Sequence, residues 1–207
     1  MIPVIPLGAR HRLRRLLPAT GPFLAAALTA ALVGALLAAP GIAGGGARPQ
    51  AAKPPAASCL PTGNGYLRAR IGGAIDADID WPNSGTLCDG EPKTTPAGVR
   101  MSFRRAAPTR ANLLFVFGLS GVREGQALRE GRANLTVFDE RRGRVYGTEG
   151  DGRCTIDSLS QRRLGAGRRY RVEARGFCTG PAHAVRGTGD ILVSRFDFAG
   201  QVNYANP

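Results

Sequence analysis

The feature that most constrains the fold is an alternation of apolar and polar residues from Leu67 to Trp81. Leu67, Ala69, Ile71, Gly73, Ile75, Ala77, Ile79 and Trp81 occupy the odd positions. Arg68, Arg70, Asp76, Asp78 and Asp80 occupy even ones. Side chains on a strand point alternately to opposite faces, so this stretch presents one apolar face and one charged face. The pattern runs through Gly72-Gly73, which predicts one long strand with a bulge or bend there. Such a strand needs a sheet to pair with and further apolar surface to cover Ile75, Ile79 and Trp81.

The same period recurs downstream. Val99, Met101 and Phe103 alternate with Arg100, Ser102 and Arg104. Ala133, Leu135 and Val137 alternate with Asn134, Thr136 and Phe138. Tyr170, Val172 and Ala174 alternate with Arg171, Glu173 and Arg175. Asn112–Leu119 is a continuous apolar run, read as a central strand buried on both faces. Ile191–Phe198 is a further strand, which Gly200–Tyr204 could extend. Turn signals separate these runs at Pro82-Asn83-Ser84-Gly85, Glu140-Arg141-Arg142-Gly143 and Leu164-Gly165-Ala166-Gly167. Asp89–Gly98 and Gly180–Asp190 read as loops, and Gly121–Arg132 as a polar connection. No helical period follows Ala43. The expectation is an all-β domain of eight to ten short strands, a two-layer antiparallel β-sandwich, with a closed barrel as the alternative.

The chain ahead of this domain is of another kind. Arg10, Arg12, Arg14 and Arg15 precede an uncharged run from Leu16 to Ala47 with an apolar centre at Phe23–Ala39. A basic cluster before an apolar stretch is an export signal, and retained positive charge sends the rest of the chain across the membrane. Gly41-Ile42-Ala43 places small residues where a signal peptidase cuts. Residues 1–43 are therefore read as a cleaved signal peptide, with a retained N-terminal membrane anchor as the alternative. Residues 44–58, rich in Gly, Pro and Ala, form a linker. Residues 59–207 form one domain, large enough for a substantial core. The protein is expected to be periplasmic or extracellular, reaching a membrane only through the N-terminal segment if that stays in place.

All four cysteines, Cys59, Cys88, Cys154 and Cys178, lie in the domain. An even count beyond an export signal reads as disulfides. The preferred pairing is Cys59 with Cys88 and Cys154 with Cys178, since each pair flanks a local unit. The wide spacing speaks against zinc. Six of the 28 basic residues precede Cys59 and all 15 acidic residues follow it. The domain thus sets 22 basic against 15 acidic residues and carries +7, mostly as arginine.

The carriers of a resemblance are spread along the domain. They are Ile79-Asp80-Trp81, Cys88-Asp89-Gly90, Cys154, Gly176-Phe177-Cys178 and Phe196-Asp197-Phe198-Ala199-Gly200, spanning most of residues 67–200. In these the chain resembles a loose group of uncharacterised exported bacterial β-sandwich proteins. The resemblance implies the sandwich and the export, and it brings no activity with it.

Chemistry-bearing motifs are few. Asp76, Asp78 and Asp80 have the opening spacing of an EF-hand loop, but its sixth and twelfth positions fall on Trp81 and Leu87 instead of Gly and Glu. They are read as a solvated strand face or as cross-strand partners of Arg100 and Arg104. His183 is the one histidine outside the signal, and no nucleophile motif accompanies it. Asn134-Leu135-Thr136 matches a glycosylation acceptor and is read simply as strand. No catalytic residue, cofactor or metal site is assigned. The remaining lead is cationic. Arg162, Arg163, Arg168 and Arg169 flank a glycine-rich tip, and Arg171 and Arg175 continue along one strand face. Arg141, Arg142 and Arg144 crowd another turn. Guanidinium pairs bidentately with phosphate, which suggests an anionic envelope component as partner. Sequence-specific nucleic-acid reading lacks a stacking platform or recognition helix. The expected function is a non-enzymatic, envelope-associated binding or structural module. The alternative is a secreted glycan hydrolase working through paired carboxylates.

Overall fold

The structure, a computed structural model, describes residues 57–107 and 112–205. The expected export segment and most of the linker lie outside the described residues. What is described is all-β, without a helix. The strands are β1 (Tyr66–Gly73), β2 (Ala77–Pro82), β3 (Thr86–Thr94), β4 (Ala97–Arg105), β5 (Leu113–Ser120), β6 (Gly131–Asp139), β7 (Arg144–Gly147), β8 (Cys154–Arg163), β9 (Arg169–Cys178), β10 (Ala182–Ala184) and β11 (Asp190–Asn203). Every pairing is antiparallel. Neighbours run β2-β1-β11-β10-β7-β6-β5-β4-β3, and β8 and β9 give a second route from β6 to β11. β2 and β3, at the two ends, are not bonded to each other, so the sheet is not a closed barrel.

The stretch from Leu67 to Trp81 is a hairpin and not one strand. Ile71 pairs with Ala77, Ala69 with Ile79 and Leu67 with Trp81. Odd positions face odd positions across the turn, so both arms send their odd side chains inward. The alternation therefore passes through the turn unbroken and conceals it. Gly73 makes the reversal possible. Its φ is +103°, and a Cβ there would stand 2.4 Å from the Asp190 carbonyl oxygen.

The organising strand is β11. One of its edges takes β1, and the other takes β10 and then β9. It spans 14 residues, Asp190–Asn203, so the segment after Phe198 extends the strand as its sequence allows. Asp89–Gly98, read as a loop, is mostly β3. Pro92 and Gly90 hid it. Pro92 is tolerated because β3 is an edge strand paired only with β4. Gly90 lets β3 cross close over β11, where a Cβ would stand 2.4 Å from the Gln201 carbonyl oxygen. The loop read at Gly180–Asp190 contains β10, which bonds β7 and β11.

The core is aromatic and lies where β4 and β5 face β11. Phe117 sits 5.1 Å from Phe196 and 4.8 Å from Phe198, ring centre to ring centre, and Phe103 sits 5.0 Å from Phe198. Trp81 on β2 meets Phe115 edge-on at 5.4 Å. The four Phe rings at 103, 115, 117 and 198 are fully buried. β5 is central, as its sequence implies, but Leu114 and Val116 on its outer side are only partly covered.

Candidate functional site

The outer face of β2, β1, β11, β9 and β8 carries the ionisable side chains in cross-strand rows. One row runs Asp80, Arg68, Asp197, Arg175, Ser158. The next contains Tyr66, Glu173 and Ser160. Beyond it come Gln201, Arg171 and Arg162, and then Asn203 with Arg169. Signs alternate at one end of the face, and only cations remain at the other. This follows from register: β8 and β9 form a hairpin whose tip, Leu164 to Arg168, brings both arginine-rich strand ends to one place.

Within the six arginines singled out by sequence, the structure separates two kinds. Arg168 is committed to Glu124, with its Nη2 2.6 Å and its Nε 3.1 Å from Oε2. That bond holds the Glu124 carboxyl below the usual glutamate range. Arg171 donates to Glu173 at 2.5 Å, and its own Nε is buried without an acceptor. Arg175 donates to the Ser158 hydroxyl at 2.9 Å. Arg163 lies over the Tyr170 ring, 5.6 Å from its centre. Arg162 and Arg169 are exposed and have no carboxylate partner among the described residues. The second arginine-rich turn is occupied internally: Arg142 bonds the buried Asp139 at 3.0 Å, and Arg144 bonds the Thr188 carbonyl at 3.3 Å.

The three aspartates pair on their own hairpin. Arg70 bonds Asp76 at 2.6 Å and approaches Asp78 at 3.5 Å, while Arg68 meets Asp80 at 3.3 Å. The expected partners Arg100 and Arg104 are not involved; Arg100 bonds Glu91 on β3. The reason is the hairpin itself, which sets β1 opposite β2. Among the described residues no group of three His, Cys, Asp or Glu side chains is arranged to hold a metal ion.

Sequence reasoning missed Tyr66. Its hydroxyl donates to Asp197 at 2.8 Å and lies 3.3 Å from Glu173. Burial, and then the two carboxylates, push the phenol well above its usual range. Two carboxylates thus converge on one oxygen, a meeting that no linear spacing announces, since residues 66, 173 and 197 come from three strands. Glycosidic chemistry requires one carboxyl of such a pair to keep its proton. Here the Arg171 hydrogen bond holds Glu173 below the usual glutamate range.

His183 lies on β10, with its Nδ1 2.8 Å from an Asp190 carboxylate oxygen. No hydroxyl among the described residues bonds its ring. Asn134 sits within β6 and donates to Asp151 at 2.8 Å. The cysteines form Cys59–Cys88 and Cys154–Cys178, and none is free. The second bridge joins directly opposed residues of β8 and β9. Comparison with protein-family models, with curated proteins and with solved structures finds no match to this chain.

Proposed function

We propose that this is an exported, non-enzymatic binding module that engages anionic components of a bacterial envelope through the end of the β8–β9 hairpin. Export to the periplasm or beyond, by the signal or anchor in residues 1–43, belongs to the proposal, and two intramolecular disulfides are compatible with it. So does a two-layer sandwich, which the ring contacts between β4–β5 and β11 support. The carrying observation is that Arg162 and Arg169 stand exposed on one face beside Arg171 and lack a carboxylate of their own. Guanidinium groups left unpaired at a rigid strand end are free to meet phosphate bidentately.

The test is co-sedimentation of the chain without residues 1–43 with vesicles of phosphatidylglycerol or of phosphatidylcholine at about 0.15 M salt, where exposed charges interact over only about 8 Å. Selective binding to the anionic vesicles, lost in Arg162→Ser/Arg169→Ser, is expected. Equal partition to both vesicles, or no loss in the variant, refutes the proposal.

The second reading, a secreted hydrolase, is favoured by the Glu173–Asp197 convergence at Tyr66. It is the weaker one, because both carboxylates are already engaged within the face, Glu173 by Arg171 at 2.5 Å and Asp197 by the Tyr66 hydroxyl at 2.8 Å. Hydrolysis of a glycan by the wild type that vanishes in Glu173→Gln would reverse that ranking.

A further inference from the structure

On the opposite side of the domain, the outer face of β3, β4, β5 and β6 holds a groove of about 460 Å³. This lies within the range of small-ligand sites. Its floor and its rim differ in chemistry. Val116 and Phe138 supply a partly exposed apolar floor. Phe138 is unlike the core phenylalanines, which all point inward.

Gly118 makes the recess. Val116 and Gly118 stand two apart on β5, and the glycine adds no side chain to the row in which it lies between Arg100 and Asn134. A Cβ at Gly118 would stand 2.3 Å from the Asn134 Oδ1. Asn134 therefore leans its carbonyl oxygen into the space a side chain would fill. It is fixed there, because its amide nitrogen donates to Asp151.

The rim is polar and balanced. Asp89, Glu91 and Lys93 line one side as alternate residues of β3, and Arg100 on β4 stands opposite Glu91, which it bonds. Asp89, Lys93 and Thr136 keep side-chain groups with no partner among the described residues. Asp89, Ser102, Val116 and Thr136 form one cross-strand row, so Asp89 and Thr136 stand three strand spacings, about 14 Å, apart. Acceptors and donors thus flank an apolar strip. A rim without net charge offers nothing to a polyanion, in contrast to the hairpin end. It suits a neutral molecule with one apolar face and hydroxyls around its edge, which is the chemistry of a pyranose ring.

We propose that this groove binds a neutral oligosaccharide, seating the C–H face of one sugar ring on Val116 and Phe138 with its hydroxyls on Asn134 and Thr136, and placing a hydroxyl of the neighbouring ring on Asp89. Burial of the C–H face supplies the apolar contribution. The planar carboxylate and amide groups select for hydroxyl geometry. The site is separate from the arginine hairpin and does not depend on it.

The experiment is a titration of the full chain, labelled with ¹⁵N, with cellohexaose, maltohexaose and chitohexaose in turn. The expected result is that at least one produces saturable amide shifts centred on Gly118, Asn134 and Thr136. Thr136→Val should weaken that binding about three- to tenfold, the usual range for one neutral hydrogen bond, and Asp89→Ala about ten- to a hundredfold, since its carboxylate is a charged acceptor; both lie at the rim and away from the core. Arg162→Ser/Arg169→Ser should leave it unchanged. No saturable shift with any of the three sugars, shifts centred on another face, or unaltered affinity in both rim variants overturns the proposal.

Discussion

Truncating Phe117 and truncating Phe138 to alanine removes the same atoms from neighbouring strands, yet the outcomes should differ severalfold. Phe117 is fully buried, with Phe103 and Phe115 at 6.2 Å, Phe196 at 5.1 Å and Phe198 at 4.8 Å. The strands around it hold the neighbouring rings apart, so the space cannot collapse. The loss should be about 3–5 kcal/mol, the range for a buried Phe that leaves a cavity. Phe138 faces the outer groove, where water fills the vacated volume. Its partial burial is worth about half the transfer value of a buried Phe, roughly 1–1.5 kcal/mol. Urea unfolding followed by the emission of Trp81, the sole tryptophan, reads both. With a slope near 2 kcal/mol per molar urea, the two midpoints should separate by about 1–2 M. Equal midpoints would refute the assignment of inward and outward faces on β5 and β6. A loss below about 1.5 kcal/mol for Phe117→Ala would mean that the ring cluster is not packed as described.

Two further outcomes follow from the same structure. Replacing Cys154 and Cys178 together by serine opens a loop of sequence separation 24 and should cost about 3 kcal/mol by loop-entropy reasoning, visible as a urea midpoint lower by more than 1 M; an unchanged midpoint would show that the β8–β9 ladder needs no bridge. Tyrosine absorbance at alkaline pH should show Tyr204 ionising at about 12 and Tyr66 later still, against a usual value near 10. Unfolded tyrosines lose their protons first, so the protein should lose stability as pH rises from about 10 towards 12, and Tyr66→Phe should remove the last absorbance step and reduce that loss.

Local pattern and tertiary outcome part company at identifiable residues. The strands at Val99–Phe103, Ala133–Val137 and Tyr170–Ala174 were legible because half-buried strands must alternate, and alternation is written in consecutive residues. The turn at Glu140–Gly143 and the tip at Leu164–Gly167 were legible because reversals demand residues that tolerate them; Gly143 and Gly165 both take positive φ. β3 was not legible, because Gly90 and Pro92 mark a loop locally, and only the crossing over β11 and the edge position explain them as strand.

The sequence by itself determined the all-β class, the sidedness of most strands, and the half-cystine pairs as local closures, since each rests on neighbours along the chain. Only the tertiary structure decided which ionisable groups meet. The hairpin at Gly73 gave Asp76, Asp78 and Asp80 to Arg68 and Arg70. The loop carrying Glu124 claimed Arg168 and left Arg162 and Arg169 unpaired. Tyr66, Glu173 and Asp197 converged from three strands, and Phe138 turned outward over a recess made by Gly118. The physical reason is register. A strand's own pattern fixes which face a side chain takes, but the partner across the ladder is set by pairings more than a hundred residues apart in some cases, and pairing decides whether a charge is neutralised or left for a ligand.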